Sequence, residues 1–370
     1  MELAGIPLRR AVWRLAEGVD STLFVLLATL TMVGLAVLFS ASYDAPGRVA
    51  AQLANLGVAI TAMWIVAQVP PQTMMRFAVP AYLIGLALLI AVAVAGDVVN
   101  GARRWLHVGV TRFQPSEMMK LAVPLMLAWY FHKNESTLRV RDYFVAGLLL
   151  AVPLGLILRQ PDLGTAGLVG TAGFFVIFFA GMSWRVMGGI AAAGAAALPL
   201  IWPFLHDYQR RRVLTLLDPS SDPLGAGYHI IQSTIAVGSG GLAGKGWLNG
   251  TQSHLEFIPE RHTDFIFAVF SEEFGLLGNI ALLVLYALLI ARGLMIAASA
   301  ASLFGRLLAA SISLQFFVYA FVNMGMVSGI LPVVGVPLPF LSYGGTALLT
   351  LFIGAGMLMS IQRHRKLVQT

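Results

Sequence analysis

Apolar stretches long enough to cross a lipid bilayer recur along almost the whole chain. A transmembrane helix needs about 20 predominantly apolar residues. The approximate bounds of such stretches are 22–41, 51–69, 74–96, 117–131, 143–158, 163–181, 186–204, 265–291, 307–331 and 341–361. Backbone groups in lipid must be hydrogen-bonded internally, so each stretch is predicted to be a helix. The sequence therefore predicts an all-α integral membrane protein, a polytopic bundle of about ten transmembrane helices.

The composition agrees with this class. Of the 370 residues, 58% are apolar and 11% are charged, whereas soluble domains carry about a quarter charged residues. No segment shows the alternation typical of a membrane β-barrel, and no soluble domain is apparent, so residues 1–370 are predicted to form one membrane domain. Cysteine is absent, which excludes disulfides and thiolate ligands.

Basic residues in the short loops predict the orientation. When the predicted spans alternate across the membrane, one side receives Arg9, Arg10, Arg14, Arg76, Lys133, Arg139, Arg141, Arg185, Arg292, Arg306, Arg363, Arg365 and Lys366. The positive-inside rule places that side, with both termini, in the cytoplasm. The long polar loop of residues 205–263, before the eighth helix, is then external, and long loops are usually functional.

A polar cluster borders an apolar run at the start of the eighth predicted helix. Residues 259–264 read PERHTD, and residues 265–270 read FIFAVF. An ionisable group at a membrane boundary is destabilising unless it is paired or solvated, so it indicates a functional site. Asp264 is therefore the first candidate for chemistry.

Basic residues also collect on the predicted external side, where the positive-inside rule disfavours them. They are Arg103, Arg104, Arg112, Arg210, Arg211, Arg212, Lys245 and Arg261. Such a cluster fits an anionic ligand. It fits lipid headgroup binding and loop solvation as well, and the sequence leaves both interpretations open.

Acidic residues within the spans have structural as well as functional interpretations. Glu117 and Lys120 lie three apart on one helix face, which favours a buried ion pair over a polar relay or a cavity wall. Asp162 lies in the first turn of the sixth predicted helix, where it complements the helix dipole. Glu272 and Glu273 require a polar cavity or a cation for at least one of them, and a protonated transport relay would explain them equally well.

Metal and nucleotide motifs are incomplete in this sequence. The segment GGLAGKG at 240–246 lacks both the earlier glycine and the Ser or Thr after Lys245 of a Walker motif. His254 and His262 fit no zinc pattern, so no metal site is assigned. Mg²⁺ or Mn²⁺ held loosely beside a diphosphate stays compatible with oxygen ligands. Ser342 lacks the strand-to-helix context of a nucleophile elbow.

Seven ordered segments together resemble a known family. They are NGARRWL at 100–106, FQPSEMMK at 113–120, RQPDLGT at 159–165, HDYQRRRV at 206–213, DPLGAGYHIIQS at 222–233, GSGGLAGKGWLNGTQSHLEFIPERHTDFIFAVFSEEFG at 238–275 and VSGILPVVGVPLPFLSYGGT at 327–346. The chain resembles the SEDS family of FtsW, RodA and SpoVE over nearly its whole length. The arginine of PERHTDFIF favours the RodA branch.

This resemblance implies a peptidoglycan glycosyltransferase that polymerises lipid II at the outer face of the plasma membrane (the cell inner membrane) during cell elongation, with undecaprenyl diphosphate as the leaving group. The implied partners are a class B penicillin-binding protein (a PBP2-type transpeptidase), other elongation-complex proteins, the nascent glycan strand and membrane lipids, with no nucleic acid. In the family, the aspartate matching Asp264 is the essential catalytic residue. The positions matching Glu117, Lys120, Asp162 and Lys245 are associated with activity or cavity architecture.

Asp264 is accordingly expected to be the general base toward an acceptor GlcNAc hydroxyl. One carboxylate suffices, because a diphosphate leaves without a general acid when cations neutralise it. Candidate substrate-binding or cavity residues are Arg48, Arg103, Arg104, Glu117, Lys120, Asp162, Arg210, Arg212, Lys245, Arg261, His262 and Ser342. A groove near the fourth and fifth spans is expected to open to lipid and to end near Asp264.

Two rival functions remain. A lipid II flippase would explain Glu117, Glu272 and Glu273, but it needs a polar path across both leaflets. A scaffold that only anchors a penicillin-binding protein leaves Asp264 unexplained. The polar residues converge on the external side, which favours the enzyme.

Overall fold

The computed structural model describes residues 19–43, 45, 47–99, 102–108, 111–204, 207–222, 225–255 and 257–365. Its elements are α1 Ser21–Ala41, α2 Gly47–Gln68, α3 Pro71–Ala95, β1 Asp97–Val99, β2 Ala102–Val108, β3 Thr111–Phe113, α4 Pro115–Lys133, α5 Val140–Arg159, α6 Leu163–Phe179, α7 Trp184–Ile201, α8 Asp207–Leu217, α9 Ala226–Ser239, α10 Thr251–His254, α11 Ile266–Ala298, α12 Leu303–Val327 and α13 Thr346–Arg363. The predicted helical class is confirmed.

Each predicted span lies on one of these helices. Seven of them, α1, α2, α3, α5, α11, α12 and α13, are long and apolar enough to cross a membrane, and α6 is a shorter apolar helix. The number of membrane crossings therefore stays a prediction. The largest error in the predicted bounds is at the end of α11, which continues to Ala298 instead of ending near 291. Helix α12 ends at Val327, before the predicted 331, and gives way to an irregular connection up to Gly345.

A small antiparallel sheet follows α3, which the all-α prediction did not include. Its strand order is β1-β2-β3, with Val98 opposite Arg103 and His107 opposite Arg112. The strands are short, and valine and threonine in them favour extended backbone. The sheet occupies the segment that the sequence predicted to be an external loop.

The centre of the bundle is α12, which packs against α4, α6 and α11. Small side chains along α12, such as Ala309 and Ser313, allow neighbouring helices to approach closely. The buried Ser311 hydroxyl also donates a hydrogen bond of 2.8 Å to the Ala172 carbonyl of α6. The helix that follows Asp264 in sequence thus packs directly against α12, the most buried of the seven helices that are long and apolar enough to cross a membrane.

An ion pair joins the start of α1 to the far part of α11. Arg292 donates a hydrogen bond from Nε to Asp20 Oδ1 at 3.1 Å, and Asp20 also caps α1 by accepting from the Leu23 amide at 2.8 Å. Arg292 belongs to the predicted cytoplasmic set. Asp264 precedes α11 and therefore lies at the opposite end of the bundle.

The long loop of residues 205–263 is largely helical where it is described. It contains α8, α9 and α10, and α9 packs against α11.

Helix α11 is broken at Gly275, whose φ of 63° and ψ of −161° are not helical. The loop backbone binds both broken ends. The amides of Lys245 and Gly246 donate to the carbonyls of Glu272 and Glu273, each at 3.0 Å. The carbonyls of Gly241 and Leu242 accept from the amides of Leu276 and Leu277, at 2.9 and 3.0 Å. The loop therefore satisfies backbone groups that the break would leave without partners.

The close approach of the loop backbone to α11 explains why residue 244 is a glycine. A Cβ atom on Gly244 would lie 2.0 Å from the Glu273 carbonyl oxygen, and the φ of Gly244 is +79°. The segment GGLAGKG thus packs its backbone against α11.

We expect Gly244→Ala to destabilise the protein by about 1–3 kcal/mol, because the new methyl group must displace the α11 backbone. The matched control is Gly238→Ala, since nothing lies within 4 Å of a Cβ atom at that position. Thermal melting of both variants in detergent measures the difference. Equal melting temperatures would show that the loop is not held against α11.

Candidate active site

The Asp264 carboxylate lies just before α11 and is half-buried. Gly335 stands opposite it, where a Cβ atom would be 3.4 Å from Asp264 Oδ2. Among the described residues, no side chain forms a hydrogen bond or an ion pair with this carboxylate. Both oxygens of this partly exposed carboxylate are therefore able to accept a hydrogen bond from a substrate.

Burial raises the pKa of the Asp264 carboxyl from 3.8 to about 6, and the negative charge of Glu260 contributes in the same direction. Glu260 itself is exposed. A carboxylate with a raised pKa binds a proton more strongly than an ordinary aspartate and is still ionised at neutral pH. These are the properties of a general base.

The backbone leading into Asp264 is held at three successive carbonyls. The amide of Tyr343 donates to the His262 carbonyl at 2.8 Å, and the Ser342 hydroxyl donates to the Thr263 carbonyl at 2.6 Å. Asn323 Nδ2 of α12 donates to the Asp264 carbonyl at 2.8 Å. Two distant segments thus fix the position of the acid.

Ser342, a predicted site residue, acts here through the backbone. Besides bonding Thr263, its hydroxyl accepts a hydrogen bond from the Leu338 amide at 2.8 Å. Gln52 of α2 donates to the Ser342 carbonyl and accepts from the Gly344 amide, each at 3.2 Å. The start of α2 is therefore joined to the segment that supports Asp264.

Arg48 is the predicted cation that contacts the segment before Asp264. Its guanidinium Nη1 lies 3.4 Å from His262 Nδ1. Arg261, in contrast, is 5% exposed and points to α1: its Nε donates to the Ala41 carbonyl at 2.8 Å, and its guanidinium lies 5.3 Å from the centre of the Tyr43 ring.

Lys245 pairs with Glu272, at 2.7 Å between Nζ and Oε1. This carboxylate also accepts from the Thr251 hydroxyl at 3.1 Å and from the Gln252 amide at 3.0 Å. The prediction that one of the adjacent acids faces a cation is confirmed. Glu273 accepts a hydrogen bond from the Ser40 hydroxyl of α1.

Glu117 and Lys120 form the predicted ion pair, at 2.5 Å. Lys120 Nζ also lies 2.6 Å from the Tyr319 hydroxyl of α12. Asp162 caps α6, as predicted, by accepting from the Thr165 amide at 3.1 Å. It also accepts from Gln114 Nε2 at 3.0 Å.

The remaining predicted cations lie at other places in the structure. Arg104 donates to the Gln160 carbonyl at 3.2 Å and also to the Pro161 carbonyl. Arg210 donates to the Trp202 carbonyl at 3.1 Å and to that of Pro203. Arg212 is half-buried on α8, and Arg103 is exposed on β2. No ion pair joins any described cation to Asp264, and their roles toward a substrate stay predictions.

An apolar groove of about 420 Å³ runs between α2, α3, α4 and α13. Phe113 and Glu117 lie toward one end, and Val69 and Met74 lie toward the other. The groove was predicted near the fourth and fifth spans, but α4 alone of these two helices lines it, and α2, α3 and α13 form the other walls. It was also predicted to end near Asp264, but neither Asp264 nor the residues that hold its backbone line it. Within the described part of the chain, no cluster of three or more His, Asp or Glu side chains is arranged to hold a metal ion.

Sequence reasoning missed Asn323, Gln52 and Gly335, and it named Glu260 only as a member of the polar cluster at 259–264. The signal for Asn323 was available, since a polar amide in an otherwise apolar span requires a buried partner. The contribution of Gly335 depends on the path of the connection after α12, which the sequence does not specify.

A many-helix bundle with an unpaired, fixed acid at one end defines a multi-pass membrane protein with a candidate active site. The chain belongs to the FtsW/RodA/SpoVE family of cell cycle proteins, whose sequence model matches residues 20–367. The resemblance seen in the motifs is confirmed.

Relatives match over nearly their whole length. The chain is 51% identical over 363 residues, 98% of both proteins, to the peptidoglycan glycosyltransferase MrdB of Escherichia coli (strain K12). It is 34% identical over 376 residues to the probable peptidoglycan glycosyltransferase FtsW of Trichlorobacter lovleyi, covering 98% of this chain and 97% of that one.

Two solved structures share the fold. A chain from a peptidoglycan synthase complex, solved to explain the coordination of polymerization and crosslinking, superposes with a TM-score of 0.81 at 35% identity, covering 94% of this chain and 99% of that one. The rod shape determining protein RodA of Thermus thermophilus superposes with a TM-score of 0.72 at 31% identity, covering 94% and 97%.

We expect Asp264→Asn to raise the melting temperature at neutral and alkaline pH. The pKa of Asp264 is higher in the folded protein than its ordinary value of 3.8, so stability is lost as the pH rises from 3.8 through about 6. Below that window the two proteins should melt alike. Melting curves in detergent across the window measure this, with Glu135→Gln, an exposed acid elsewhere, as the control. A lower melting temperature for Asp264→Asn at alkaline pH would contradict the assigned burial penalty.

Proposed function

We propose that this chain, a peptidoglycan glycosyltransferase like the relatives it matches, polymerises lipid II at the outer face of the plasma membrane, with Asp264 as general base. The single observation that carries the assignment is the Asp264 carboxylate. It is unpaired among the described residues, half-buried and anchored through its own backbone. An acid with no structural partner at such a position is destabilising, so it requires a functional reason.

The proposed reaction forms a bond between the hydroxyl oxygen of an acceptor GlcNAc and the anomeric carbon of the donor. Asp264 takes the hydroxyl proton while the bond from the anomeric carbon to the diphosphate oxygen breaks. Undecaprenyl diphosphate leaves, and the configuration at the anomeric carbon inverts. No general acid is needed if cations neutralise the departing charge.

Arg48 is our first choice for a cation that meets the diphosphate. It lies beside His262, two residues before the proposed base, at the start of α2. A divalent ion brought with the diphosphate would supply further charge neutralisation.

The groove between α2, α3, α4 and α13 suits the polyprenyl chain of lipid II, because its walls are apolar along the bundle and one end carries the polar Glu117. A substrate can then slide within lipid while its charged head stays at the end of the bundle. The external location follows from the positive-inside orientation. Likeness to a chain of a peptidoglycan synthase complex supports a class B penicillin-binding protein as the partner.

The flippase alternative loses part of its motivation, because two of its three acids are paired with lysines. Glu117 is bound to Lys120, and Glu272 is bound to Lys245. Their presence is explained without a transport relay.

We expect Asp264→Asn to lower the polymerisation rate by about a hundredfold to ten-thousandfold, which is the usual contribution of a positioned general base. The assay uses the purified protein with its penicillin-binding partner and labelled lipid II in detergent, where flipping has no meaning, and it scores glycan polymer. Glu135→Gln is the matched acid-to-amide control and should retain full activity. Near-normal polymerisation by Asp264→Asn would remove Asp264 from the mechanism.

The pH dependence should follow the same group. A general base works only when ionised, so the rate should be full above a pKa of about 6 and fall as the pH drops through that value. Glu260→Gln removes the neighbouring negative charge, lowers the pKa of Asp264 and should move this acid limb to lower pH. Initial rates across the acidic and neutral range measure both effects. An unchanged limb in Glu260→Gln would show that another group titrates.

A further inference from the structure

Asn323 is a fully buried amide near the C-terminal end of α12, with 0% of its surface exposed. Its nitrogen donates two hydrogen bonds, one to the Asp264 carbonyl at 2.8 Å and one to the Val336 carbonyl at 2.7 Å. The side chain therefore joins the proposed base to the connection between α12 and α13.

The orientation of this amide is determined by its neighbours. Both groups that it faces are backbone carbonyls, which accept but cannot donate, so the nitrogen must point toward them. Its own oxygen, Oδ1, is buried and has no partner among the described groups. A buried acceptor without a partner destabilises a fold. The unpartnered oxygen of Asn323 therefore destabilises the fold, and the two hydrogen bonds that its nitrogen donates offset this cost.

The two carbonyls belong to the acid and to the segment beside its carboxylate. One belongs to Asp264 itself. The other belongs to Val336, next to Gly335, whose Cβ position would be 3.4 Å from Asp264 Oδ2. The Asn323 nitrogen therefore sets the separation between the acid and the segment that covers one side of it.

We propose that Asn323 is a positioning residue for the glycosyl transfer: its two N–H groups hold the Asp264 backbone and the Val336 backbone together, so that the carboxylate meets the incoming hydroxyl in a fixed geometry. This assignment rests on the proposed function of Asp264. Asn323 is fully buried, so its effect on the reaction must pass through Asp264.

The test is a graded series at this position. Asn323→Asp keeps the shape but can donate at most one hydrogen bond, and Asn323→Leu keeps the branching but donates none. A misplacement of about 1 Å can lower a rate about a hundredfold, so kcat should fall in the order wild type, Asn323→Asp, Asn323→Leu, with the last about a hundredfold below wild type and KM nearly unchanged.

A second readout separates positioning from a general loss of stability. If the support of Asp264 is removed, its carboxyl can move toward water and its pKa returns toward the ordinary value. The acid limb of the rate profile should then lie at lower pH in Asn323→Leu than in wild type. The control is Ser311→Ala, which removes another buried hydrogen bond of α12, to the Ala172 carbonyl of α6, and should leave kcat and the acid limb unchanged.

Each outcome decides the matter. A wild-type kcat in both Asn323 variants, or a loss in kcat matched by Ser311→Ala, would overturn the assignment. If Asn323→Leu does not fold, the kcat of Asn323→Asp decides, and if neither folds, Asn323 is a stability residue and the proposal falls. Asp264→Asn, run in parallel, shows separately whether the proposed function holds, because its full activity would remove the base itself.

Discussion

The hydrogen bonds to three successive carbonyls, those of His262, Thr263 and Asp264, are the interaction on which the rest of the site depends. Their donors come from the Tyr343 amide, the Ser342 hydroxyl and the Asn323 amide. All three lie in the last fifth of the chain. The carboxylate itself is left without a partner in the described structure, so rigidity comes from the backbone and reactivity is kept for the side chain. A site built in this way satisfies the requirement that a base be fixed and yet available.

The need to keep this base available also explains why the described cations near this end of the bundle form no ion pair with Asp264. A salt bridge to the acid would lower its pKa and weaken it as a base. Arg261, buried against α1, and Lys245, bound to Glu272, instead fasten neighbouring segments. The only charged neighbour that influences the pKa of Asp264 among the described groups is Glu260, and it raises that pKa. The arrangement keeps positive charge nearby for an anionic substrate without neutralising the proposed base.

The sequence predicted the parts of this protein that follow from hydropathy and local pairing. It placed the helices, the Glu117 and Lys120 pair and the Asp162 cap, because each depends on spacing along a single helix. It missed the small sheet, because three short strands carry little pattern. It also missed the supports of Asp264, because contacts between segments as distant as residues 48 and 262 depend on how the helices pack.

The break in α11 separates two demands that one continuous helix could not meet. A helix of 33 residues would extend for about 50 Å, whereas the hydrocarbon core is about 30 Å thick. The part after Gly275 is long enough to span that core by itself, so the part before it is free to follow the loop instead of the membrane axis. Backbone bonds from Lys245 and Gly246 determine where this first part ends. The loop therefore holds the end of the first part of α11, and the apolar remainder of α11 is the part that crosses the lipid.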